Sequence, residues 1–312
     1  MPNWSDVLGQ IALVRSQTQD ASRKAADIVR RQYLQSLHAK TQRNVIAYYS
    51  GFLSKSNIFG LEINDEDKNG FMMAVHKLDR KKGLDLILHT PGGNFSATQS
   101  IVDYLHKMFK KDLRAIVPQI AMSAGTMIAC SCKSIVMAEH SNLGPIDPHL
   151  RGIPAYGVIK EFETASKEIA KDPNRMRVWQ PILGQYRPTF LGQCQNAIDL
   201  STAFVKEQLE KVMFAGDRKA KAKAAMITGE LSNYDKIKTH DRHIHMAECK
   251  KLGLKIERLE DDPDLQDLVL TVHHCYMQAM MNTPSFKIIE NQSGVMFVKQ
   301  QIQVALPVQQ SG

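Results

Sequence analysis

Two turns in the middle of the chain hold the residues best suited to chemistry. Ser123 sits in Met122-Ser123-Ala124-Gly125, after the apolar run Ala115-Ile116-Val117 and before a helical stretch that begins at Thr126. A serine among small residues at a helix start meets free N–H groups and the positive end of the peptide dipoles, both of which favour developing negative charge. Pro91-Gly92-Gly93 occupies the corresponding turn one unit earlier, after the apolar run Leu84–Leu88. Two glycines let main-chain N–H groups approach a substrate with no Cβ in the way. A nucleophile flanked by two preorganised donors is what a tetrahedral oxyanion requires. Ser123 is therefore the candidate nucleophile for acyl transfer, with Gly92, Gly93 and Ala124 as backbone donors. The plainer reading of a serine in this position is a helix cap.

These turns belong to two successive strand-turn-helix units. The helix after Gly93, from Ser96 to Phe109, carries Ile101, Val102, Leu105 and Met108 at helical spacing. Around this centre the sequence predicts one long amphipathic helix from Ser5 to about Lys40, a strand over Asn44–Leu53, and a helix capped by Asp65. A buried strand follows at Ile135–Met137, then a turn at Ser141–Pro145. The stretch 172–214 is punctuated by Pro173, Pro181 and Pro188 and otherwise reads as helices, suited to cover a groove or build a subunit interface. A short strand over Leu254–Leu259, an amphipathic helix over Asp262–Met281, a hairpin from Phe286 and a mobile tail close the chain.

With these residues in place the chain resembles a known group. LILHTPGG, followed one unit later by VPQIAMSAGTMIA, is similar to the Clp protease proteolytic subunit and the signal peptide peptidase A group, on the crotonase-type fold. SNLGPIDP and the later THDRHI narrow the resemblance to the serine dehydrogenase proteinase (SDH proteinase) family, from about Trp4 to Asn291. The resemblance implies an α/β fold: a crotonase/ClpP-type spiral of repeated ββα units with flanking N- and C-terminal helices. Its divisions are a helical segment 1–40, a peptidase core 41–262 with a helical insertion at about 155–225, and a C-terminal helix and hairpin at 263–312. It further implies a self-compartmentalised serine peptidase that acts on peptide or protein substrates as a homo-oligomer, with no cofactor. A regulatory or unfoldase partner is implied as well.

A serine hydroxyl needs a base within reach. The peptidase A relatives use a lysine, which makes Lys160 a candidate for a Ser-Lys dyad if burial lowers its pKa. The Clp relatives use a histidine at a spacing close to that of His149 in Ile146-Asp147-Pro148-His149. His240 or His243, from THDRHIH, are the third choice. Asp241 is spaced from Ala247-Glu248 and Gly253-Leu254 as the orienting aspartate of the Clp subunit is. Three histidines and an aspartate in this stretch could also suggest zinc, but their spacing fits no strong zinc pattern and no metal is expected.

Composition narrows the setting. The 312 residues are 43% hydrophobic and 23% charged, ordinary for a globular protein with a sizeable core. There is no window of continuous apolar residues long enough to span a bilayer, and no signal peptide pattern, so a membrane role is not expected. Five cysteines without a C-x-x-C pair point to a reducing, cytoplasmic setting. The net charge of +8 is spread among acidic residues and comes with no nucleic-acid module, so no nucleic-acid partner is expected. Two other classes remain open: a CoA-dependent crotonase-type enzyme that uses the oxyanion donors without the serine, and a catalytically silent scaffold or sensor subunit.

Overall fold

The strands are short, and the central ones are apolar and buried on both sides, the pattern of a parallel sheet covered on both faces. In the structure, a computed structural model that describes residues 4–17, 22–55, 57–237 and 239–301, they run as β1 Asn44–Ser50, β2 Leu84–His89, β3 Leu113–Val117, β4 Ile120–Ala121, β5 Ser134–Met137, β6 Asn142–Leu143, β7 His149–Leu150, β8 Ile153–Pro154, β9 Ile244–His245, β10 Ile256–Arg258, β11 Ser285–Asn291 and β12 Met296–Gln300. Seven of them form the main sheet in the order β10-β5-β3-β2-β1-β11-β12. The five from β10 to β1 are parallel, and β11 and β12 extend the edge antiparallel. A second small sheet, β4-β6-β9, is built from the continuations of the β3 and β5 units. The β3 unit is thus two strands followed by a helix, the repeat expected for a ClpP-type spiral, while in the β5 unit the hairpin β7-β8 comes between β6 and α6.

The helices are α1 Trp4–Gln17, α2 Ser22–Thr41, α3 Asp67–Val75, α4 Phe95–Phe109, α5 Ala124–Cys130, α6 Ala155–Lys171, α7 Met176–Leu183, α8 Phe190–Gln208, α9 Ala220–Leu231, α10 Tyr234–Ile237, α11 Met246–Leu252 and α12 Pro263–Asn282. Alternation along β1 sorts them into layers. Ile46 and Tyr48 face a core shared with Phe71, Ile101, Leu105 and Met127 of α3, α4 and α5. Val45, Ala47 and Tyr49 face a second core with Leu34 and Leu37 of α2 and Val269, Val272 and Tyr276 of α12. The helices at the two ends of the chain therefore form one layer, on the face of the sheet opposite α4 and α5.

The single long N-terminal helix expected from the sequence is instead two. Between Val14 and Ala25 the sequence offers no strong apolar residue, so the stripe that would hold a continuous helix against the protein is interrupted. α1 and α2 pack on each other, with Val7 and Val29 buried against Cys275 and Tyr33 donating to Gln10 Oε1 at 2.8 Å. The helix expected after Asp65 begins at Asp67, whose side chain turns inward and is fully buried rather than facing solvent at the helix end. The C-terminal hairpin is present as β11 and β12, and the tail at 302–312 lies outside the described residues.

Candidate active site

Ser123 is positioned by a pair of linked turns. Thr90 N donates to Ile120 O at 3.2 Å and Met122 N to Thr90 O at 3.0 Å, so the turns after β2 and β4 lie side by side. Thr126 Oγ1 donates to Ala121 O and accepts from Gly144 N, each at 2.8 Å, which ties the start of α5 to both neighbouring segments. Ser123 itself adopts φ 49°, ψ −112°, a backbone conformation that costs a non-glycine residue about 1–3 kcal/mol and collects at functional sites. It occupies the position just before α5, yet its side chain makes no capping bond. The cap reading is thereby excluded.

The glycine turn is shaped by close approach. A Cβ on Gly92 (φ +103°) would lie 2.7 Å from Ser123 Cβ, and one on Gly93 (φ +154°) would lie 2.3 Å from Ile63 N. Ile63 clamps this turn: its N–H donates to Gly92 O and its carbonyl accepts from Asn94 N, both at 2.8 Å. Gly92 N–H is taken by Thr90 Oγ1 at 3.2 Å, so of the two glycines Gly93 carries the N–H without an acceptor among the described residues. Ala124 opens α5 and has no carbonyl one turn earlier within its helix. Gly92 thus serves by being small, beside Ser123.

The strap at Ile63 is itself held from behind. Lys287 Nζ, fully buried, donates to Glu62 O at 2.7 Å and to both oxygens of Asp67 at 2.9 Å. Asp67 also accepts from Asn64 N at 3.0 Å and from Tyr48 OH at 2.8 Å.

Ser123 and Gly93 open onto a cavity of about 730 Å³ whose walls include Phe95, Met127, Leu200, His149 and His240. Helix α8 supplies Ala197, Leu200 and Ser201 to its lining, so this helix walls one side of the groove. The pairing of β6 with β9 brings the segment after Gly144 next to the segment before Ile244, and with it His149 next to His240. Their rings stand 4.0 Å apart between centroids. Both rings turn one nitrogen to the buried carboxylate of Asp147: His240 Nδ1 is 2.8 Å from Oδ1, and His149 Nε2 is 3.3 Å from Oδ2 without hydrogen-bonding geometry. Burial by itself would push the Asp147 carboxyl up, but the two imidazoles beside it outweigh that and hold it well below the usual carboxylate range.

The other sequence candidates lie elsewhere. Lys160 is exposed on α6, paired with Asp235 and over the Tyr234 ring, and does not line the Ser123 cavity. Half-exposed and bound to an acid, it lacks the desolvation that a lysine base needs. Asp241 is exposed and, among the described residues, forms no hydrogen bond or ion pair with either imidazole, although it lines a small pocket with both; its N–H donates to Thr239 Oγ1 at 3.4 Å. His243 is also exposed and absent from the cavity lining. Asp147, not weighed from the sequence, is the carboxylate that His240 contacts. Its signal was an acid two residues from His149 across a proline, in Asp147-Pro148-His149.

The family model for ClpP-like SDH-type serine proteinases matches residues 12–301. The chain belongs to that family. Two uncharacterized proteins of Methanocaldococcus jannaschii are similar to this family member, at 32% identity over 69% of the chain and 27% over 62%. The chain spans 66% and 59% of their respective lengths. Among solved structures, a membrane-bound stomatin-specific protease in complex with a substrate peptide aligns over 62% of this chain and 70% of its own, at 19% identity and a TM-score of 0.38. No helix among the described residues here is long and apolar enough to cross a membrane.

Proposed function

We propose that this protein is a serine peptidase that cleaves through an acyl-enzyme on Ser123, with His240 as general base, Asp147 as its orienter, and the N–H groups of Gly93 and Ala124 as oxyanion donors. The observation that carries this reading is one cavity lined by a strained, uncapped serine, a glycine turn with an unused donor, and an imidazole bound to a buried carboxylate. His240 is preferred to His149 because its Nδ1 faces Asp147, which leaves Nε2 as the atom to accept the serine proton. Proton transfer requires Nε2 to reach the Ser123 hydroxyl when substrate fills the cavity, and the 24% exposure of the His240 side chain leaves it room to turn.

Substrate would be a peptide segment entering beside α8. Self-association would supply the enclosure that a compartmentalised peptidase needs, and it is supported by α7, whose Met176, Val178 and Ile182 are exposed. The test is intact-mass detection of a fluorophosphonate adduct. An adduct on the wild type that disappears in Ser123→Ala and His240→Ala supports the mechanism. No adduct on the wild type sinks it, in favour of a silent scaffold or a CoA-dependent enzyme of the same core.

A further inference from the structure

Asp147, His149 and His240 form a donor set of two imidazoles and one carboxylate, with one ligating atom from each lying within 4.8 Å of the other two. Nitrogen and oxygen ligands at about 2.0–2.1 Å around tetrahedral zinc stand about 3.3 Å apart, so closing the set on a metal takes side-chain movements of about 1 Å. The two histidines are partly exposed along the cavity and free to make them, while Asp147 is fixed by burial. A second observation points to a ligand in the same place. His149 Nε2 is shielded from solvent, faces the Asp147 carboxylate, and has no hydrogen-bond partner. A shielded ring nitrogen whose nearest acceptor is a poorly aligned carboxylate oxygen at 3.3 Å would gain from a metal between the two.

We infer that this cluster is a reversible zinc-binding site that switches the enzyme off. Zinc held by Asp147, His149 and His240 keeps its fourth position for water. It ties up both imidazoles of the Ser123 cavity and engages the Asp147 oxygens that would orient His240, so the serine proton has no acceptor. Two imidazoles and a carboxylate around an open position favour zinc over calcium or magnesium, which prefer all-oxygen shells. The inhibitory consequence rests on the peptidase reading, but the binding does not.

The experiment is isothermal titration of Zn²⁺ into the full-length chain, with Ser123→Ala as a parallel sample. One zinc per chain in both is expected. His149→Gln and His240→Gln should each weaken binding by more than about 10-fold, the loss that removal of even an outer-shell partner can cause. Co²⁺ added to the unmodified chain should give the intense visible absorption of a tetrahedral site and be displaced by Zn²⁺, a readout that needs no variant. Fluorophosphonate labelling of Ser123 should fall with zinc occupancy and return on chelation. Absence of stoichiometric binding, undiminished binding in both histidine variants, or an octahedral cobalt spectrum each overturns the site. Zinc binding without any labelling in the metal-free protein would retain the site and count against the peptidase reading alone.

Discussion

Replacement of Gly93 by alanine separates the oxyanion geometry from the rest of the site. The new Cβ would lie 2.3 Å from Ile63 N and 2.4 Å from Ile63 O, about 1 Å inside ordinary contact with main chain that cannot rotate away. Either the strap moves or the turn does. In both cases the bonds from Ile63 N to Gly92 O and from Asn94 N to Ile63 O are broken or stretched, at about 1 kcal/mol each. The φ of +154° adds about 1–3 kcal/mol of strain. A destabilisation of about 3–5 kcal/mol leaves a typical domain folded at room temperature. The Gly93 N–H, however, is displaced from its aim, and loss of one oxyanion donor costs about 100- to 1000-fold in rate. The assay is the second-order rate of fluorophosphonate labelling, whose phosphonyl oxygen occupies the oxyanion position, alongside the urea midpoint. Gly229→Ala is the control, since its Cβ would meet open space in the last turn of α9. A folded Gly93→Ala protein that labels within a few-fold of the wild type would refute the assignment of Gly93 as a donor.

Further outcomes follow from the same geometry. Asp147→Asn should lower the labelling rate by up to about 10⁴-fold, because an amide can hold His240 in the wrong tautomer, whereas Lys160→Met should change it by less than twofold; equal effects would reverse the choice of base. Lys287→Met should cost about 3–5 kcal/mol in denaturant unfolding by stranding Asp67 as a buried unpaired charge, and adding Asp67→Asn should recover part of that. His89 is buried, and its pKa is pushed down to about 4 by desolvation against hydrogen bonds to Ser50 O and Gln119. The unfolded chain therefore binds a proton between about pH 6.5 and pH 4 that the folded protein refuses, so His89 alone should remove about 2 kcal/mol of stability between pH 7 and pH 5. His89→Gln should flatten that part of the stability profile; an unchanged slope would show that other groups govern acid unfolding.

The elements around Ser123 were legible because local chemistry decides them. Short apolar runs ending in Pro91-Gly92-Gly93 and Met122–Gly125 specify strand, turn and helix within a few residues, and the structure has β2, β3, α4 and α5 there. The break in the N-terminal helix and the inward turn of Asp67 were less legible. The first depends on where the apolar stripe loses its packing surface, and the second on Lys287 arriving from 220 residues away.

What the sequence by itself determined is the pair of glycine-and-serine turns and the α/β core, since turn residues and hydrophobic periodicity act over short spans of chain, while the family was legible as a resemblance of motifs such as LILHTPGG and VPQIAMSAGTMIA. Only the tertiary structure decided which titratable groups share a cavity with the serine. The pairing of β6 with β9 carries His240 across 93 residues to Asp147, while Lys160, nearer in sequence, is turned outward to Asp235. Proton transfer depends on distance and burial, and those are properties of the packed sheet rather than of sequence spacing.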